Sequence, residues 1–67
     1  MDIGKKLKSL RREAHLTQRD FAVRVGLGLK TIRDLEQGKK TTRMDNVSQM
    51  LAFFGYHIEA VKNEQQL

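Results

Sequence analysis

The stretch Leu16–Gly38, LTQRDFAVRVGLGLKTIRDLEQG, constrains this chain more than any other. Thr17 stands where a side-chain oxygen can accept a free N–H two or three residues on, the place of a helix N-cap. Phe21, Ala22 and Val25 then fall at i, i+1 and i+4, one apolar stripe. Gly26 is placed to end that helix in a left-handed conformation, which glycine adopts without a Cβ clash. Leu27 fills the corner and Gly28 starts a second helix. Ile32 and Leu35 anchor that helix inward, and Gly38 closes it. The spacing predicts two short helices joined by a tight turn.

At about 100° per residue, Ile32 and Leu35 straddle one direction of the second helix. Lys30, Arg33, Asp34 and Gln37 cluster on the opposite side, with Leu29 and Glu36 on one flank and Thr31 on the other. Long hydrogen-bonding side chains, backed by two apolar anchors, make the kind of face that enters a DNA major groove. A merely solvated face has the same composition, so the distribution of charge becomes informative. Residues 1–20 hold six Lys/Arg against three Asp/Glu, residues 21–43 six against two, and residues 44–67 one against three. The net +5 is therefore carried on and before the two-helix stretch, and the tail is mildly acidic. That asymmetry suits a polyanion partner for the first part and a protein partner for the second.

The remaining segments supply support. Residues 2–15 are predicted as a first helix, with Asp2 as its cap and Ile3, Leu7, Leu10 and Ala14 as its inner face. Arg11 lies about 40° from Leu7 on the wheel, and Glu36 about 40° from Ile32. Both border the core, and they are expected to form a partly buried, structural ion pair. His15 at the end of the first helix fits an interaction with free carbonyls or the helix dipole. The loop Gly38–Arg43 carries three cations and two hydroxyls, a set suited to phosphates. A fourth helix is predicted from about Arg43 to Phe54, capped by Thr41 or Thr42, with Met44, Val47, Leu51 and Phe54 inward. Met50 and Phe53 lie off that stripe and are expected against a partner subunit or over the first helix. After Gly55, Tyr56-His57-Ile58-Glu59-Ala60-Val61 alternates and is predicted as a strand. No second strand is evident, so two-fold antiparallel pairing with a second copy is expected, through Tyr56, Ile58 and Ala60.

L-T-Q at 16–18, Ala22, Gly26, Ile32, Glu36 and Gly38 resemble the helix-turn-helix of the phage-repressor (Xre/Cro-like) family, over residues 3–54. The likeness departs at Gly28, where the family often has Ser or Thr, and at Leu29, where it often has a polar residue. A strand in place of a fifth helix is similar to the HipB-like antitoxins, small dimeric repressors. The resemblance implies an all-α, four-helix, lambda-repressor-like domain over 1–55, with a dimerising strand and tail over 56–67. It implies that Gln18 clamps the DNA backbone and braces the second helix of the motif, and it points to the same Arg11–Glu36 pair.

The function expected is a homodimeric, sequence-specific repressor on a palindromic operator in double-stranded DNA, in the cytoplasm, with a cognate toxin as a further partner if it is an antitoxin. Leu29, Lys30, Arg33 and Asp34 are the candidate base contacts. Gln18, Thr31, Gln37, Lys39, Lys40 and Arg43 are the candidate phosphate contacts. The competing reading is a protein-interaction module that uses the motif as scaffold. With no cysteine, no Ser/His/Asp set and two distant histidines, no catalytic residue, metal or cofactor is expected. No apolar run approaches the roughly 20 residues needed to span a membrane.

Overall fold

A computed structural model describes residues 2–64, and among these there are four α-helices: α1 Ile3–Glu13, α2 Gln18–Val25, α3 Leu29–Glu36 and α4 Met44–Phe53. The all-α, four-helix expectation holds. α3 lies against α1 and α2, and α4 packs on α2. Leu7, Phe21, Ile32 and Met50, one from each helix, are the largest fully buried side chains. Phe21 is central, with its ring centroid 5.5 Å from that of Phe53 and 5.2 Å from that of Phe54.

Local chemistry explains the helix ends. Asp2 caps α1, its Oδ1 accepting from Lys5 N at 3.1 Å. Thr17 caps α2 by accepting from Asp20 N, and the Asp20 carboxylate accepts in return from Thr17 N, a reciprocal capping box. Gly28 starts α3 and Arg43 starts α4, both without a side-chain cap. The N-cap of α4 is Arg43, and among the described residues the buried hydroxyl oxygen of Thr42 has no hydrogen-bond partner, so neither Thr41 nor Thr42 caps α4 as expected.

Each helix ends in the same closure. Leu16 N donates to Arg11 O, Leu27 N to Ala22 O, Lys39 N to Asp34 O and Tyr56 N to Leu51 O, at 2.9–3.1 Å. The residue before each donor has positive φ: His15 at 58°, Gly26 at 76°, Gly38 at 82° and Gly55 at 83°. This is the six-to-one bond of a Schellman termination. His15 thus serves its helix end through a left-handed backbone, a conformation that disfavours residues with a Cβ.

Two expectations need correction. Ala14 is exposed, because α1 ends at Glu13 and Ala14 is its cap. Met44 is 69% exposed, whereas Met50 is 1% exposed within this chain's own core. The inner stripe of α4 is Val47, Met50, Leu51 and Phe54, at i, i+3, i+4 and i+7, so Met50 is already covered without a partner. Residues 56–61 are a different case, because the strand expected there is one paired with a second copy. Among the described residues no strand forms, and this segment is exposed and irregular. Beyond Tyr56 N it makes no backbone–backbone hydrogen bond among the described residues. A strand needs a ladder partner, and the described residues of one copy contain none. The radius of gyration is 12.8 Å, above the value of about 11 Å for a compact chain of this length.

One close approach sets the seat of α3. Gly4 is buried, and a Cβ built on it would overlap the carbonyl oxygen of Leu35. The first turn of α1 therefore rests directly on the backbone of the last turn of α3. Overpacking a fitted contact costs about 1–3 kcal/mol, and in a domain of this size 1 kcal/mol moves the melting temperature by about 4–8 °C. Gly4→Ala is expected to lower the melting temperature by at least about 5 °C; an unchanged melt would show that α1 does not rest on Leu35.

Candidate nucleic-acid interface

α3 is held to the body by apolar anchors and by a polar clamp. Ile32 and Leu35 are buried. At the end of α3 the Glu36 carboxylate accepts from Arg11 Nε at 2.7 Å and from Arg11 NH2 at 2.9 Å. These side chains are only 9% (Arg11) and 4% (Glu36) exposed. Gln18 Nε2 donates to the same carboxylate at 3.1 Å, and Arg11 NH1 donates to Leu16 O at 2.8 Å. One carboxylate thus ties α3 to α1 and to the first residue of α2. The expected Arg11–Glu36 pair is present, bidentate and more fully buried than its place on the core margin suggested.

Burial pushes the Glu36 carboxyl up, but hydrogen bonds from Arg11 and Gln18, and the charges of Arg11 and Lys8, outweigh it and hold it below its ordinary value. The hydrogen bond to Glu36 raises the Arg11 guanidinium above its ordinary value against the opposing effect of desolvation. Both groups remain charged at neutral pH. Gln49, which the sequence did not single out, adds a further brace: its Nε2 donates to Val25 O at 2.6 Å and binds α4 to the end of α2.

With α3 so oriented, Lys30, Arg33 and Gln37 are exposed together. The other expected site residues divide. Leu29 is partly buried and packs against the core, which leaves only part of its side chain accessible. Thr31 is partly buried on the opposite flank. Asp34 is covered by two lysines, Lys30 Nζ at 2.7 Å and Lys39 Nζ at 3.4 Å. The hydrogen bond from Lys30 leads in holding its carboxyl below the ordinary range. Gln18 is turned inward to Glu36, so its amide donor braces α3 and its backbone N–H opens α2.

Beyond α3, Lys39, Lys40 and Arg43 are all exposed on the loop, with Arg43 NH2 3.1 Å from Asp45 Oδ2. Among the described residues Arg33 and Lys40 have no ion-pair partner. Lys39 and Lys40 also line an open groove of about 580 Å³ between the start of α1 and the end of α3. Phe53 and Tyr56 are partly exposed at the far end of α4, and Lys6 Nζ sits 5.2 Å from the Tyr56 ring centroid. Ile58 and Ala60 follow on the irregular segment, both exposed. Among the described residues no group of three or more His, Cys, Asp or Glu is placed to hold a metal ion, and no helix is long and apolar enough to cross a membrane.

Residues 7–61 match the Helix-turn-helix family. The chain is 40% identical over 58 residues to the uncharacterized HTH-type transcriptional regulator y4mF of Sinorhizobium fredii (strain NBRC 101917 / NGR234), a match that covers 87% of this chain and 76% of that protein. No solved structure matches the chain significantly.

The buried pair has a pH signature. A carboxylate whose folded pKa lies below its unfolded one stabilises fully above the unfolded value, about 4.3 for Glu. That contribution is lost as pH falls through the folded value. Breaking a buried pair costs about 3–5 kcal/mol, most of the stability open to a chain this small. Denaturation of the wild type and Glu36→Gln is expected to show a wild-type advantage of that order at neutral pH, shrinking only below about pH 4.3. An advantage that is constant into acid would remove Glu36 as an ionised partner.

Proposed function

The chain belongs to the helix-turn-helix family, and on that footing we propose that it is a sequence-specific DNA-binding transcriptional regulator that represses as a homodimer on a palindromic operator. The observation that carries the reading is the guanidinium of Arg33, unpaired among the described residues, beside Lys30 and Gln37 on a helix whose other side is locked by Ile32, Leu35 and Glu36. The family match and the Sinorhizobium relative, a transcriptional regulator by name, support a binding protein that regulates transcription rather than an enzyme.

In this reading Lys30 and Arg33 donate to guanine O6 or N7, and the exposed part of Leu29 packs on a thymine methyl. Lys39, Lys40, Arg43 and Gln37 neutralise or hydrogen-bond phosphates, joined by Thr31 and by the backbone N–H of Gln18 at the start of α2. Two copies place their α3 helices in successive major grooves about 34 Å apart. Repression follows from occupying a promoter.

The exposed apolar side chains of Phe53, Tyr56, Ile58 and Val61, and the unpaired backbone of 57–61, support pairing of this segment with its two-fold mate. Ala60 lies within the paired run. Pairing would form the strand that a single copy lacks, with the Tyr56 N–H already committed to Leu51 O. An antitoxin role belongs to the same reading through the HipB-like resemblance, with the acidic residues 44–67 as the surface for a toxin.

Enrichment of duplexes from a random pool is expected to yield two inverted half-sites spaced by one helical turn. No enrichment, together with a flat response of random-duplex binding to salt, would favour the interaction-module reading. Arg33→Ala is expected to relax base preference more than it weakens binding to random duplex, and equal loss on every sequence would refute base reading. Lys40→Ala is expected to weaken all duplexes alike and to reduce the salt slope by about 0.9 for each phosphate it no longer neutralises; an unchanged slope would exclude Lys40 as a phosphate ligand. Deleting residues 57–67, which spares the Tyr56 closure of α4, is expected to give monomers by sedimentation, and a persistent dimer would reject the shared strand.

A further inference from the structure

We propose that Asp34 is a specificity-determining positioning residue: it restrains Lys30 and Lys39 on the exposed side of α3 and so suppresses binding to duplex of arbitrary sequence. The proposal rests on the DNA-binding reading of that side and assigns Asp34 a role other than reading a base.

Both oxygens of the carboxylate are engaged. Oδ2 accepts from Lys30 Nζ at 2.7 Å, and Oδ1 lies 3.4 Å from Lys39 Nζ. The lysines cover the acid, for the Asp34 side chain is only 14% exposed while that of Lys30 is 85% exposed. Lys39 is fixed twice over, since its backbone N–H donates to Asp34 O at 2.9 Å in the closure of α3. The acid therefore links the first turn of α3 to the start of the basic loop. A cytosine amine would have to displace a lysine to reach this carboxylate.

Binding to arbitrary sequence depends on cations free to neutralise phosphates. Asp34 sets a negative charge against two of those cations, Lys30 and Lys39, and so weakens the pull of both on phosphates. Specific binding loses less. An ammonium group has three donors, so Lys30 can keep its bond to Asp34 and still donate to a guanine edge, now from a fixed direction. The pair is spaced i, i+4 and its lysine is 85% exposed, a geometry that contributes little to stability, so the acid can be neutralised without unfolding the domain.

The test compares the wild type with Asp34→Asn on a random-sequence duplex and on the duplex enriched from a pool, each across a salt series, with thermal melts as a control. Asp34→Asn is expected to melt like the wild type. It is expected to bind random duplex roughly five- to tenfold tighter at about 0.1 M salt for each lysine released, with a salt slope steeper by about 0.9 per additional phosphate neutralised. The ratio of enriched to random affinity is expected to fall. Weaker binding to the enriched duplex with random binding unchanged would make Asp34 a base acceptor and overturn the proposal, as would no change on either duplex.

A DNA-free measurement separates this from the reading beneath it. Followed by NMR in acid, the Asp34 carboxyl is expected to titrate below an ordinary aspartate and to move back in Lys30→Gln and Lys39→Gln. No movement in either variant would overturn the restraint itself. The expected titration in a protein that binds no duplex would refute the DNA-binding reading, and the specificity role with it, while leaving the ion cluster standing.

Discussion

The Glu36 carboxylate, buried and shared by Arg11 and Gln18, fixes the orientation of α3. Apolar contacts alone would leave an eight-residue helix free to roll, because Ile32 and Leu35 give it only two buried side chains. A bidentate guanidinium adds direction as well as attraction. Removing either partner leaves a charge in a site where solvent does not compensate it. The contact of Gly4 with Leu35 closes the same end from the other side of the chain. Together they anchor the last turn of α3 to α1 and α2, which decides that Lys30, Arg33 and Gln37 face outward.

That outward side is electrostatically graded rather than uniformly basic. Among the described residues Arg33 and Lys40 stand without ion-pair partners, Lys30 and Lys39 are drawn to Asp34, and Arg43 is close to Asp45. A surface that meets a polyanion gains affinity from every free cation but gains discrimination only from donors held in a fixed place. Ion pairs on such a surface therefore trade one for the other. The consequence of small size shows from the end of α4 onward, where Phe53, Tyr56, Ile58 and Val61 remain exposed. A chain of this length buries only about 60% of the surface it exposes unfolded, and these side chains are part of what is left uncovered.

The motif itself was legible because its signals are local. Thr17, Gly26, Ile32, Leu35 and Gly38 state a cap, a turn, two anchors and a stop within one short stretch, and wheel geometry was enough to pair Arg11 with Glu36 although 25 positions separate them. What escaped depended on packing between segments. Gly4 shares the buried stripe with Leu7 and Arg11, and a glycine on such a stripe signals close backbone approach, yet its contact lies at Leu35. The choice of Met50 over Met44 for the inner face of α4 hung on where the helix begins, and the first turn left Met44 outside. The helical wheel puts Asp34 on the side of Lys30 and Arg33, but its capture by two lysines depends on rotamers and on the closure at Gly38. The segment after Gly55 alternates as a strand does, and alternation cannot supply the partner that a ladder requires.

Whether the body of the domain presents α3 and its following loop to nucleotides is tested most directly by titrating the isotope-labelled protein with duplex DNA and following its NMR resonances. The largest shifts are expected at Lys30, Arg33, Gln37, Lys39 and Lys40, with Ile32, Leu35 and Glu36 little moved. Shifts confined to residues 53–61, or none at any concentration of DNA, would contradict it.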